Sequence, residues 1–144
     1  MRNILFRAKR TDNGDWIEGY VMMHYNRPFI YTGEIENKEE SYIGHGLYES
    51  TDDPVCYEVD PYTVGEWTGL YDKNGKKIFE GDVVRFKRTD ALGWTRERTG
   101  KVLCYNKLPI FYILSTTGDA WDLYICEDIE VIGNIYDNSD LMER

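Results

Sequence analysis

The chain is punctuated by turn signals too closely spaced for long helices. Asn13-Gly14 and Asn74-Gly75 each sit between runs rich in aromatic and β-branched residues, the pattern of a β-hairpin with a type I′ turn. Residues 4–9, 12–15 and 16–23 read as strand, turn and strand, and 68–71, 72–76 and 77–79 repeat that order. Glu80-Gly81-Asp82 bends the chain into a strand over 83–88. Further strands are expected at 29–32, 42–48, 55–59, 94–105, 110–115, 121–125 and 130–136. Residues 34–40 are acidic with no apolar period and read as a solvated loop, and Ser50-Thr51-Asp52-Asp53-Pro54 reads as a turn. Asn138 precedes residues suited to about one helical turn. Short strands at regular turn spacing predict an all-β fold, a small barrel or a sandwich.

Composition agrees. Aromatic residues make up 15% of the 144 residues, with 12 tyrosines and 4 tryptophans, a bias toward pleated, half-buried surfaces. That length fits one compact domain, which buries about 70% of its unfolded surface. Cys56, Cys104 and Cys126 leave an odd thiol and lack metal-ligand spacing, so reduced cysteines are expected and neither a disulfide framework nor a metal site is. Arg2, Arg7, Lys9 and Arg10 interrupt the N-terminal apolar run, so no cleaved export signal is expected. The longest apolar run, over 108–114, includes Pro109 and falls far below the roughly 20 residues of a membrane helix.

The block Asp60-Pro61-Tyr62-Thr63-Val64-Gly65-Glu66-Trp67-Thr68-Gly69-Leu70-Tyr71, continuing as Asp72-Lys73-Asn74-Gly75-Lys76-Lys77-Ile78-Phe79-Glu80-Gly81-Asp82-Val83-Val84, closely resembles the central block of the phage-encoded YopX family. Ile4-Leu5-Phe6-Arg7-Ala8, Trp16-Ile17-Glu18-Gly19-Tyr20 and Val131-Ile132-Gly133-Asn134-Ile135-Tyr136-Asp137-Asn138 resemble the family's two ends. The resemblance implies a β-rich fold with an SH3-like barrel in the C-terminal part, a phage or prophage context and a cytoplasmic setting in a bacterial host. It implies no activity and no site residues. Together with the strand pattern it predicts an N-terminal β-hairpin region over 1–60 packed on an SH3-like small barrel within 61–144, one compact domain in all.

Familiar catalytic templates are absent: no P-loop, zincin, nucleophile-elbow or dinucleotide fingerprint occurs. Gly44-His45-Gly46 lacks the third glycine, and Asp72-Lys73-Asn74-Gly75 has Val83 where a calcium loop needs glutamate. His24 and His45, and the pairs Asp52-Asp53 and Glu127-Asp128, read as solvated or structural groups. No cofactor and no catalytic residue is therefore expected.

Net charge is −9, against a wholly cationic surface, but the charge is unevenly spread. Residues 34–60 hold nine acids and one base, whereas 76–101 hold eight bases and four acids. Arg85, Lys87, Arg88, Arg96, Arg98 and Lys101, with Phe86 and Trp94 among them, are the candidate binding residues for nucleic acid or another partner. Their convergence depends on register. Phe86 opposite Arg96 lets Arg85 meet Glu97, whereas a one-residue shift sets Lys87 against Arg96 and Arg85 against Arg98, so the first is expected. The leading expectation is a non-enzymatic module that binds a protein, with self-association among the options. Nucleic-acid binding through 85–101 is the alternative, and no membrane partner is expected.

Overall fold

The computed structural model describes residues 4–44, 47–106, 108 and 110–142, and over 34–54 only the backbone. It is all-β, with antiparallel strands throughout and only short 3-10 turns besides. The described chain divides into two compact units, Leu5–Val64 and the part from Gly65 onward.

The first unit comprises β1 (Phe6–Lys9), β2 (Trp16–His24), β3 (Arg27–Gly44) and β4 (Leu47–Glu58), ordered β4-β3-β2-β1. One face carries its core, where Ala8, Ile30 and Val59 are buried and Phe6, Ile17, Val21 and Val64 pack against them. Gly19 allows β2 and β3 to approach there, since a Cβ would lie 2.2 Å from the Tyr31 carbonyl oxygen.

Two sequence expectations fail in this unit. Residues 34–40 and 50–54 form no loop and no turn: they belong to β3 and β4, which pair from Ile35↔Pro54 to Tyr42↔Tyr48 as a long ribbon. Backbone pairing supplies what apolar periodicity did not, and Pro54 fits because β4 is an edge strand with one side needing no donor. His45 lies outside the described residues. The tight two-residue turn also falls elsewhere, at Tyr25-Asn26, with φ of 49° and 63° and His24 paired to Arg27. Only the glycine of Asn13-Gly14 takes a positive φ, of 74°.

The second unit holds β5 (Gly65–Tyr71), β6 (Lys77–Phe79), β7 (Asp82–Thr89), β8 (Thr95–Cys104), β9 (Phe111–Ser115), β10 (Ala120–Asp122) and β11 (Glu127–Asn134). β5 and β6 form a hairpin, and the other five form a sheet ordered β10-β9-β8-β7-β11. That sheet has open edges at β10 and β11, so the described residues form no closed barrel. Its core is Ile78, Val84, Phe86, Val102, Phe111, Ile113 and Leu123. Ser139–Met142 forms the expected terminal turn.

Three connections here share one design. In Asp72-Lys73-Asn74-Gly75-Lys76, Asp90-Ala91-Leu92-Gly93-Trp94 and Ser115-Thr116-Thr117-Gly118-Asp119, the first residue's N–H donates to the carbonyl of the fifth. The glycine N–H donates back to the first carbonyl in each case, with φ between 82° and 93°. This is a type I turn closed by a left-handed glycine, the three-residue hairpin loop in place of the expected type I′ turn.

Asp72 does more than close its turn. One carboxylate oxygen accepts from the N–H groups of Asn74 and Lys76, both at 2.9 Å, and the other accepts from Val131 N–H of β11 at 2.9 Å. The Lys73 N–H adds a bond to the Ile129 carbonyl at 2.8 Å, so the β5–β6 turn grips β11. Desolvation pushes the Asp72 carboxyl up, but the donors from Val131, Lys76 and Asn74, together with the Lys76 charge, hold it below the ordinary carboxylate value. A lowered native pKa stabilises the fold above the ordinary carboxylate range, and this is lost as pH falls through the native value. Asp72→Ala is expected to cost about 3 kcal/mol in urea unfolding at neutral pH. The deficit should shrink on acidification.

Candidate functional site

The register of the basic hairpin differs from both sequence alternatives. Phe86 pairs with Arg98, Lys87 with Glu97 and Arg88 with Arg96. The turn decides this: Gly93 must occupy the left-handed position, which makes Asp90 and Trp94 the flanking pair. The Asp90 carboxylate reinforces that choice by accepting from the N–H groups of Leu92 at 2.9 Å and Trp94 at 3.0 Å. Turn geometry and the seating of Val84 and Phe86 in the core therefore outweigh the cost of two arginines placed opposite each other, about 0.2–1 kcal/mol.

Because a strand alternates faces, the basic residues part into two groups. Arg85, Lys87 and Lys101 lie on one face, where Arg85 and Lys87 meet acids. Arg85 reaches Glu97 at 3.4 Å, diagonally across the pair, so the expected ion pair forms despite the changed register. Lys87 reaches Asp128 at 3.5 Å, and Lys73 reaches Glu130 at 3.3 Å nearby. These are exposed pairs of small energy, and their effect is to neutralise that face.

Arg88, Arg96 and Arg98 share the other face with Phe86. Beyond the core, the guanidinium groups of Arg88 and Arg98 lie over the Trp121 ring of β10, at 5.0 Å and 5.6 Å from its centroid. Arg98 also reaches Asp119 at 3.4 Å, whereas Arg88 and Arg96 make no ion pair among the described residues. The Nε atoms of Arg88 and Arg98 and the Nε1 of Trp121 are buried donors without an acceptor. Trp94 is 68% exposed at the hairpin end. Trp121 is the member that sequence reasoning missed, since nothing local to it signals the arginines it meets across the sheet.

Among the described residues, groups suited to acid–base or nucleophilic work do not gather around these arginines. Desolvation pushes the Cys126 thiol up to about 11, against a smaller opposing influence of Arg88, so it is a poor nucleophile at neutral pH. Glu80, in the second unit, is raised by burial and by Glu66. Among the described residues no group of three His, Cys, Asp or Glu side chains is placed to hold a metal ion. A recess of about 430 Å³ in this unit is mainly apolar and lined by Tyr105, Ile110, Phe111, Tyr112, Ala120 and Trp121, with Asp122 at its side.

The first unit presents a different surface. Opposite its core, the pairings set Tyr20 beside Tyr31 and Met22 beside Phe29, with Cys56 next to Tyr31 and His24 at the end. Tyr20, Met22 and His24 are exposed, and Phe29, Tyr31 and Cys56 are half-buried.

The described residues define the class of all-β proteins built from antiparallel sheets. The chain belongs to the YopX family, since the model of the YopX protein matches residues 5–143. Its fold is similar to that in the crystal structure of protein EF1440 from Enterococcus faecalis, at 24% identity and a TM-score of 0.59, with 99% of each chain covered. No curated protein matches the chain.

The Glu80 carboxyl makes a direct check on this electrostatic description. A raised native pKa means that the native state binds a proton more readily than the unfolded chain, so this group destabilises as pH rises through that interval. Glu80→Gln is expected to raise Tm at neutral pH, with the difference vanishing at a pH where Glu80 is protonated in both states. Thermal unfolding of both proteins at several pH values checks this.

Proposed function

We propose that the protein is a non-enzymatic module that binds another protein through the outer face of its first sheet, and that it acts in the cytoplasm of a bacterial host during phage growth or lysogeny. One observation carries the reading. An antiparallel sheet with its core on one side ordinarily turns polar residues outward. Here the outer positions include Tyr20, Met22, His24, Phe29 and Tyr31, a contiguous set of aromatic and thioether side chains bordered by the Arg27–Glu58 ion pair. Scattered apolar residues on a surface need no explanation, but a contiguous patch is the mark of an interaction site.

The chemistry suits a protein partner. Aromatic residues and methionine are enriched at protein interfaces, where they bury much area for few rotors. The Tyr20 and Tyr31 rings lie 6.5 Å apart, and His24 meets Tyr25 at 4.4 Å and Phe29 at 6.0 Å, so the patch is already packed against itself. Such preorganisation lowers the entropic cost of association. The SH3-like character that the resemblance implies belongs to this reading too: the second unit would be an open form of that barrel.

Met22→Lys combined with Tyr20→Lys tests the proposal. Both side chains are exposed, so the double variant should unfold within about 1 kcal/mol of the parent. It should lose the partner that the parent captures from host cells, or the dimer that light scattering detects. Association that survives the double change would remove this face from consideration.

A further inference from the structure

We propose that the Arg88, Arg96 and Arg98 face of the β7–β8 hairpin, with Trp94 at its end, is a binding site for single-stranded nucleic acid. The site stands on the second unit and does not rest on the protein-binding reading.

The starting point is an imbalance between two faces of one hairpin. On the face of Arg85 and Lys87, acids from β8 and from Asp128 cancel the bases. On the other face, among the described residues, three arginines meet one carboxylate, Asp119, which reaches Arg98 alone. Arg88 and Arg96 stand directly opposite each other, an arrangement that costs stability unless something anionic lies across it. The buried Nε donors of Arg88 and Arg98, and the Nε1 of Trp121, have no acceptor among the described residues. A cluster of N–H donors with excess positive charge calls for an oxygen-rich anion.

Trp121 gives the cluster its shape. With two guanidinium groups over its ring, it holds both arginines close to the sheet and limits their rotamers. A planar guanidinium fixed in this way matches phosphate oxygens by two parallel hydrogen bonds. The choice between a phosphodiester chain and an acidic peptide rests on Trp94. Its indole is 68% exposed two residues from Arg96, and Leu92 beside it is 84% exposed. Single-stranded nucleic acids use such a pairing of cations with an open aromatic platform, because phosphates follow the charge while bases stack on the ring. An acidic peptide would engage the arginines and leave the indole without a task.

The test is fluorescence anisotropy with a labelled oligothymidylate and the full chain at two salt concentrations, with unlabelled oligothymidylate and polyglutamate as competitors. Binding should weaken steeply with salt. Arg96→Ala removes an exposed side chain and should weaken binding by about tenfold, lowering the salt slope by about 1. Trp94→Ala should weaken binding by about fivefold with the slope unchanged, as expected for lost stacking. Lys87→Ala, on the neutralised face, should change neither. Thermal unfolding confirms that each variant is folded. The proposal is overturned if the parent fails to bind at low salt, if Lys87→Ala is as damaging as Arg96→Ala, or if polyglutamate displaces the probe as well as unlabelled oligothymidylate does.

Discussion

The carboxylate of Asp72 is the contact on which the second unit most depends. Its two oxygens take three backbone N–H groups, two from its own turn and one from β11, a strand 59 residues further along. Local turn chemistry thus becomes tertiary structure. β11 is irregular, with breaks in its register against β7 near Glu127–Glu130 and Val131–Gly133, so an anchor at Val131 fixes a strand that its own ladder holds loosely. Gly81 adds a second anchor, donating to the Val102 carbonyl and accepting from Ile135 N–H. Its φ of 91° and the nearness of the Tyr136 ring, 3.0 Å from where a Cβ would sit, leave no room for a side chain.

With those anchors in place, the alternation of a strand does the rest. Val84 and Phe86 enter the core, and every second residue after them stays on that side, which carries Arg88 past the edge of the apolar region. There Trp121 meets it. The indole packs against the core while the charged ends of Arg88 and Arg98 lie over its ring. Arg85 and Lys87 take the opposite side by the same rule and are neutralised by neighbouring acids. A basic stretch that is continuous in sequence is therefore two surfaces of different character. The first unit shows the inverse: alternation there places Val21 and Ile30 in one apolar layer and leaves Tyr20, Met22, Phe29 and Tyr31 as another.

Much of this was legible in the residues alone. Aromatic and β-branched runs broken by Asn-Gly and other turn residues marked most strands, the turn at Gly75 and the last helical turn. Membership of the YopX family was legible too, because the block from Asp60 to Val84 resembles that family's central block and the two ends of the chain resemble its ends. The long β3–β4 ribbon was not. Its acidic segments carry no apolar alternation, and what makes them strands is each other's backbone, a partner that composition does not name. The tight turn at Tyr25-Asn26 was hidden for a related reason: tyrosine rarely accepts a positive φ, and here the strands on either side impose it.

By itself, then, the sequence determined the class of fold, the places where the chain turns, and which residues bear charge, because these follow from local φ preference and period-two patterning. Register, the sorting of six basic residues between two faces, the meeting of Arg88 and Arg98 with Trp121, and the exposed aromatic layer were decided only in three dimensions. The physical reason is that a strand's neighbours lie far away in sequence. A two-residue change in pairing keeps every side chain on its face yet gives each a new partner, and the energy that selects among such pairings comes from core packing and turn closure, neither of which is a property of any one segment.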